Sequence, residues 1–110
     1  MRIFLMALLA FLMLSTTAFA HPPVSITATA ANDQVNITVV HPVQNILDHY
    51  IKRIEVKLNG QRIIEQNCTC QANNDDQKAV YIIPGLKKGD VLNINAECNQ
   101  FGSLSKDVTI

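Results

Sequence analysis

The chain has 110 residues, nine basic and nine acidic side chains, 5% aromatics and no tryptophan. That length supports one hydrophobic core and no second folded domain of ordinary size. Balanced charge, with no basic cluster beyond Lys87-Lys88, argues against nucleic acid as a partner, and the few aromatics supply no platform for stacking bases.

The chain opens with Arg2, an almost unbroken apolar run from Ile3 to Leu14, and Ala18-Phe19-Ala20. A positive n-region, an apolar h-region and small residues at −3 and −1 predict a secretory signal peptide, cleaved after Ala20. The apolar run is shorter than the ~20 residues of a membrane span. The expected organisation is therefore a signal peptide over 1–20 and one domain over 21–110. The mature protein is expected in the periplasm or secreted, with no membrane association. Removing the leader takes away Arg2 alone among the charges, leaving eight basic and nine acidic residues. Export also implies an oxidising compartment, where the odd number of cysteines, Cys68, Cys70 and Cys98, leaves one outside any internal disulfide.

From Val24 to Ala30 apolar and polar residues alternate, the period of a half-buried strand. Asn32-Asp33 marks a turn and Val35 to Val39 alternates again, predicting a hairpin. This second strand stops at His41-Pro42, where proline has no N–H for a ladder. After a loop, Ile54, Val56 and Leu58 alternate with Glu55 and Lys57. Asn59-Gly60 is a two-residue hairpin signal, and Arg62 to Gln66 is the return strand. Asn67 to Gln77 is polar and reads as a mobile loop. Ala79 to Ile83 is a continuous apolar run, predicted to be a buried strand. Leu92, Ile94, Ala96 and Cys98 share one face of the next strand, and Val108 and Ile110 close the chain with a short one. Seven short alternating strands and no helix predict an all-β fold, an immunoglobulin-like β-sandwich.

The chemistry gathers around His41-Pro42-Val43-Gln44-Asn45-Ile46-Leu47-Asp48-His49-Tyr50-Ile51. One loop joins its two histidines, so both belong to the same pole of the sandwich. His21, the first residue after the predicted cleavage, and Cys98, at a strand end, complete an inventory of three imidazoles and a thiol, the donors that transition metals prefer. Periodicity alone does not place His21 and Cys98 at that pole. Cys98 also reads as a small buried hydrophobe, or as a disulfide partner for Cys68-Thr69-Cys70, a pair that by itself reads as a redox or soft-metal motif. Two glycosylation sequons, Asn36-Ile37-Thr38 and Asn67-Cys68-Thr69, read as chance matches.

His21-Pro22-Pro23-Val24-Ser25-Ile26 resembles the H-V-P-V-I opening of the superoxide reductases, the desulfoferrodoxin and neelaredoxin family. His41-Pro42 with His49-Tyr50-Ile51 resembles that family's H-P-x-x-x-E-H-Y/F-I segment. Ile54 to Gly60 resembles the strand and turn that follow it, and Ala96-Glu97-Cys98-Asn99-Gln100-Phe101-Gly102 resembles the A-x-C-N-x-H-G close. The resemblance implies a sandwich holding a mononuclear non-haem iron, with His21, His41 and His49 as histidine ligands and Cys98 as the axial thiolate. It implies reduction of superoxide to peroxide and an electron donor or other partner protein. No side chain outside the ligand set is assigned a catalytic role. Three features depart from the family pattern. Phe101 stands at the last histidine position, the gap between His41 and His49 is two residues longer, and the acidic residue and lysine that precede the first histidine have no counterpart. After cleavage, the α-amine and imidazole of His21 would offer one chelate, suited to copper as well as iron. A further expectation is a non-catalytic module, because the Z subunit of the sulfur-oxidation carrier complex has a similar histidine-proline loop, no metal and a partner-holding role.

Overall fold

Seven strands form in the computed structural model, which describes residues 20–110: β1 (Ser25–Ala31), β2 (Gln34–Val40), β3 (Ile51–Leu58), β4 (Gln61–Asn67), β5 (Asp76–Ile82), β6 (Val91–Cys98) and β7 (Ser103–Thr109). They make two antiparallel sheets, ordered β1-β2-β5 and β4-β3-β6-β7. The chain crosses between sheets at β2–β3, β4–β5 and β5–β6, the connectivity of an immunoglobulin-like sandwich. The described residues contain no helix. The predicted signal peptide lies outside the described residues, apart from Ala20.

Alternation does most of this work. Ile26, Val35, Ile37 and Val39 from the first sheet meet Ile54, Val56, Leu92, Ile94 and Ala96 from the second in one buried cluster. The two-residue hairpins form where expected. Asn32 and Asp33 have φ of 53° and 65°, and Asn59 and Gly60 have 49° and 87°, the paired positive φ values of a turn whose twist matches the strands it joins. On the outer face of the larger sheet, Glu97 pairs with Lys52 and Arg53, and Arg62 reaches Glu55 and Glu65.

Four expectations need correcting. The run from Ala79 to Ile83 is not buried throughout, since Val80 and Ile82 are 59% and 65% exposed. A strand's side chains alternate between faces whatever their polarity, and here Gln77, Ala79 and Ile83 take the inward face. β5 also begins earlier, at Asp76, and β7 runs from Ser103 rather than forming near Val108. In both, polar residues pair with a well-defined neighbour strand, β2 and β6 respectively. The polar loop after β4 is tied down. Gln71 is buried, and Asn73 and Gln77 bond the main chain around them.

Candidate metal centre

Four segments deliver chemistry to one pole. His41 follows β2, His49 precedes β3, Cys98 ends β6, and the chain entering β1 carries His21. The three imidazoles pack against one another, with ring centroids 4.8 Å apart for His21–His41, 5.1 Å for His21–His49 and 4.7 Å for His41–His49. One ligand nitrogen from each lies within 4.8 Å of the others. Two nitrogens bonded to one ion at ~2.1 Å are at most about 4.2 Å apart, so the cluster closes around an ion by small side-chain rotations. His49 Nε2 is 3.2 Å from Cys98 Sγ. Nitrogen and sulfur ligands at right angles, with bonds of ~2.1 and ~2.3 Å, stand about 3.1 Å apart. The three histidines can therefore hold a metal ion, and Cys98 adds a sulfur at a compatible spacing.

The orientation of His41 is settled by Gln71. The Gln71 amide nitrogen donates to the carbonyls of His41, at 2.7 Å, and Asn73, at 3.0 Å. Its oxygen is thereby turned to accept from His41 Nδ1–H at 2.8 Å. Both side chains are buried. This fixes the tautomer and leaves His41 Nε2 as the nitrogen available to an ion, as an outer hydrogen bond does for metal-binding histidines generally. Nε2 lies 3.3 Å from the His21 carbonyl oxygen. Burial, then the neighbouring His41 and His21 charges, push the His49 pKa down, favouring the neutral imidazole that a metal binds.

Asn99 holds the segment carrying His49. Its side-chain oxygen accepts from Tyr50 N at 2.9 Å and its amide donates to the Asp48 carbonyl at 2.9 Å, which grips the main chain on both sides of His49. Gln100 adds a bond to the same carbonyl and points its own N–H at Cys98 Sγ, 3.4 Å away. The loop between His41 and His49 turns at Asn45, whose side-chain oxygen accepts from Leu47 N at 3.0 Å and whose carbonyl accepts from His49 N at 2.9 Å. Gly102 secures the other side. Its φ is +79°, and a Cβ there would sit 2.8 Å from Pro22 Cβ. Only glycine lets the turn after Cys98 lie against the residue that follows His21.

His21 and His49 open onto a cleft of about 640 Å³, lined also by Gln44, Asn45, Asp48 and Gln100 among others, while His41 lies buried behind them. No lysine or arginine is among its lining residues. Phe101 projects outward, 62% exposed, and does not join the cluster.

The alternative disulfide is not formed, and all three cysteines are free. Cys68 follows β4 and Cys98 ends β6, with β3 between those strands. Two strand spacings, roughly 10 Å, exceed a disulfide's reach. Burial pushes the Cys68 thiol up, with a Gln77 hydrogen bond opposing and Cys70 adding. It also drives the neighbouring Tyr81 hydroxyl, bonded to Gln66, up to about 12. A thiol with a raised pKa is a poorer nucleophile and metal ligand than a thiolate.

No protein-family model, no curated protein and no solved structure matches this chain. Gln71, Asn99 and Asn45 serve the site without being donors to an ion. Asn45 and Asn99 lie inside the His41-to-Ile51 and Ala96-to-Gly102 segments, so the sequence carries a signal for them. Gln71 sits in a polar loop without any.

Proposed function

We propose that this is an exported mononuclear non-haem iron protein of the superoxide-reductase kind, with His21, His41, His49 and the Cys98 thiolate holding the ion. One observation carries the reading. Residues from three of the four segments that resemble that family meet at a single pole, with three histidine nitrogens within 4.8 Å of one another and a thiol 3.2 Å from one of them. Ferrous iron held there would supply the single electron that, with two protons from water, takes superoxide to hydrogen peroxide. The chain's own part is to hold and tune. Gln71 fixes which nitrogen of His41 faces the ion, and the Gln100 N–H stabilises negative charge on Cys98 sulfur. The cleft carries Asp48 and neither lysine nor arginine, so no side chain there adds to the pull that the ion itself would exert on an anion. The expected rate with superoxide therefore lies well below the diffusional ceiling of about 10⁸–10⁹ M⁻¹ s⁻¹.

The test is iron content and visible spectrum of protein beginning at His21, loaded anaerobically with Fe(II), then oxidised, beside Cys98→Ser. Stoichiometric iron with a thiolate-to-iron band that disappears in the variant supports the reading, and absence of iron overturns it. Leu47 and Phe101, 67% and 62% exposed near this pole, favour a second reading, a non-catalytic module that holds a partner protein. Full folding without metal, together with no iron uptake, would shift the conclusion there.

A further inference from the structure

We infer that the α-amino group of His21, freed when residues 1–20 are removed, is the fourth nitrogen of this centre. High-affinity metal binding then belongs to the processed protein alone. The inference rests on the metal-centre reading above. The main chain of His21, and not only its ring, sits on the cluster, because its carbonyl oxygen is 3.3 Å from His41 Nε2, the nitrogen that Gln71 leaves for a metal. Within one residue, the backbone nitrogen lies under about 4 Å from the carbonyl oxygen by covalent geometry. The amine therefore lies no more than about 7 Å from His41 Nε2 before any ion arrives, and closing the chelate swings it onto the ion. The Pro22–Gly102 contact fixes the chain immediately after it.

The chemistry of the remaining donors points the same way. Among the described residues, the groups that converge are three imidazoles and one thiol, and Phe101 is turned away. An amine and Nδ1 of the same histidine close a six-membered chelate ring on a metal. Closing it takes Nδ1 off the Pro22 carbonyl, 3.0 Å away, and exchanges that contact for the ion. An unperturbed α-amine has a pKa of about 7.7–8.0, so binding near neutral pH releases a proton from it. In the unprocessed chain the same nitrogen is an amide, whose lone pair is delocalised into the neighbouring carbonyl and does not bind an ion at neutral pH. The sequence Ala18-Phe19-Ala20 before His21 puts the cleavage expected from the leader at the one bond that produces this ligand.

The test compares two semisynthetic chains beginning at His21, one with a free α-amine and one acetylated there, each titrated anaerobically with ferrous iron. The free amine is expected to bind at least about tenfold tighter, since even loss of an outer-sphere partner weakens metal affinity 10- to 100-fold. A third chain carries ¹⁵N at the His21 α-amine alone. Its ferrous nitrosyl adduct is expected to show coupling to that nucleus by electron–nuclear double resonance, a readout that does not depend on how the acetylated chain folds. Absence of ¹⁵N coupling removes the amine as a ligand while the metal reading stands, and equal affinities do the same if circular dichroism shows both chains folded. No iron binding by any form overturns both.

Discussion

At the pole opposite the histidines, polar side chains close on one another and on the main chain. Asn59 accepts from Val91 N at 2.9 Å and donates to Asp90 at 3.1 Å, and Asp90 accepts from Lys87 N at 2.8 Å. The histidine pole uses the same kind of bond to set its main chain, through Asn99 and Gln71, but its rings are arranged differently. Both ring nitrogens of His21 face carbonyls, those of Pro22 and Pro42. His41, with one nitrogen on Gln71, turns the other toward the His21 carbonyl. A neutral imidazole donates from one nitrogen only, so in the neutral state each ring sets a lone pair against an oxygen. The first pole is a closed hydrogen-bonded cluster, whereas a cation would complete the second.

Gln71→Ala should break that comparison most sharply. It strands His41 Nδ1–H and two carbonyls in a buried place, which should lower stability in urea titration by about 2–3 kcal/mol. Metal affinity should fall about 10- to 100-fold as well. Next is a matched glycine pair. Gly102 and Gly85 have nearly equal φ, +79° and +80°, but a Cβ at Gly85 meets nothing within 4 Å. Gly85→Ala carries the backbone strain alone, roughly 1 kcal/mol or more. Gly102→Ala adds the collision with Pro22, so it should lose more stability in the same titration and also weaken metal binding by displacing His21.

Asp90 supplies the pH arm. The Asn59 amide, and then the Lys87 N–H, hold its carboxyl below the usual range. The stabilisation is therefore present above the unfolded value of about 3.9 and lost as pH falls through the lower folded value. Melting temperature measured from about pH 5 down to pH 2 should fall less steeply in Asp90→Asn than in the parent, with metal affinity at neutral pH unchanged. The smallest effect is expected from Phe101→Ser. The ring is mostly in solvent, so thermal unfolding should move by no more than about 0.5 kcal/mol.

Strand count and sheet class were legible because one buried face imposes a period of two. Asn59-Gly60 and Asn32-Asp33 were legible because few residues accept positive φ. The apolar run at β5 misled because Val80 and Ile82 have no covering layer, and composition does not say which side of a sheet is covered. His41 and His49 were placed together by the loop that joins them. Their meeting with His21 and Cys98 depends on which strands become neighbours, a matter of topology that local pattern does not carry. Gln71 was illegible for a related reason. Its importance comes from a histidine 30 positions away, and a glutamine among Asn, Asp and Thr looks like solvent-facing loop.

The ligand candidates also have a bearing on the order of folding. His41 and His49 are neighbours in sequence, but His21 lies at the front of the described chain and Cys98 near its end. Bringing them together requires both sheets to be built and packed, with β1 and β6 in place on opposite layers. Contacts of such high sequence separation carry the largest loop-closure entropy and form late. An ion that needs all four donors can bind tightly only to a chain that has finished folding. It then stabilises that chain by mass action, so metal uptake would report completion of the fold instead of templating it.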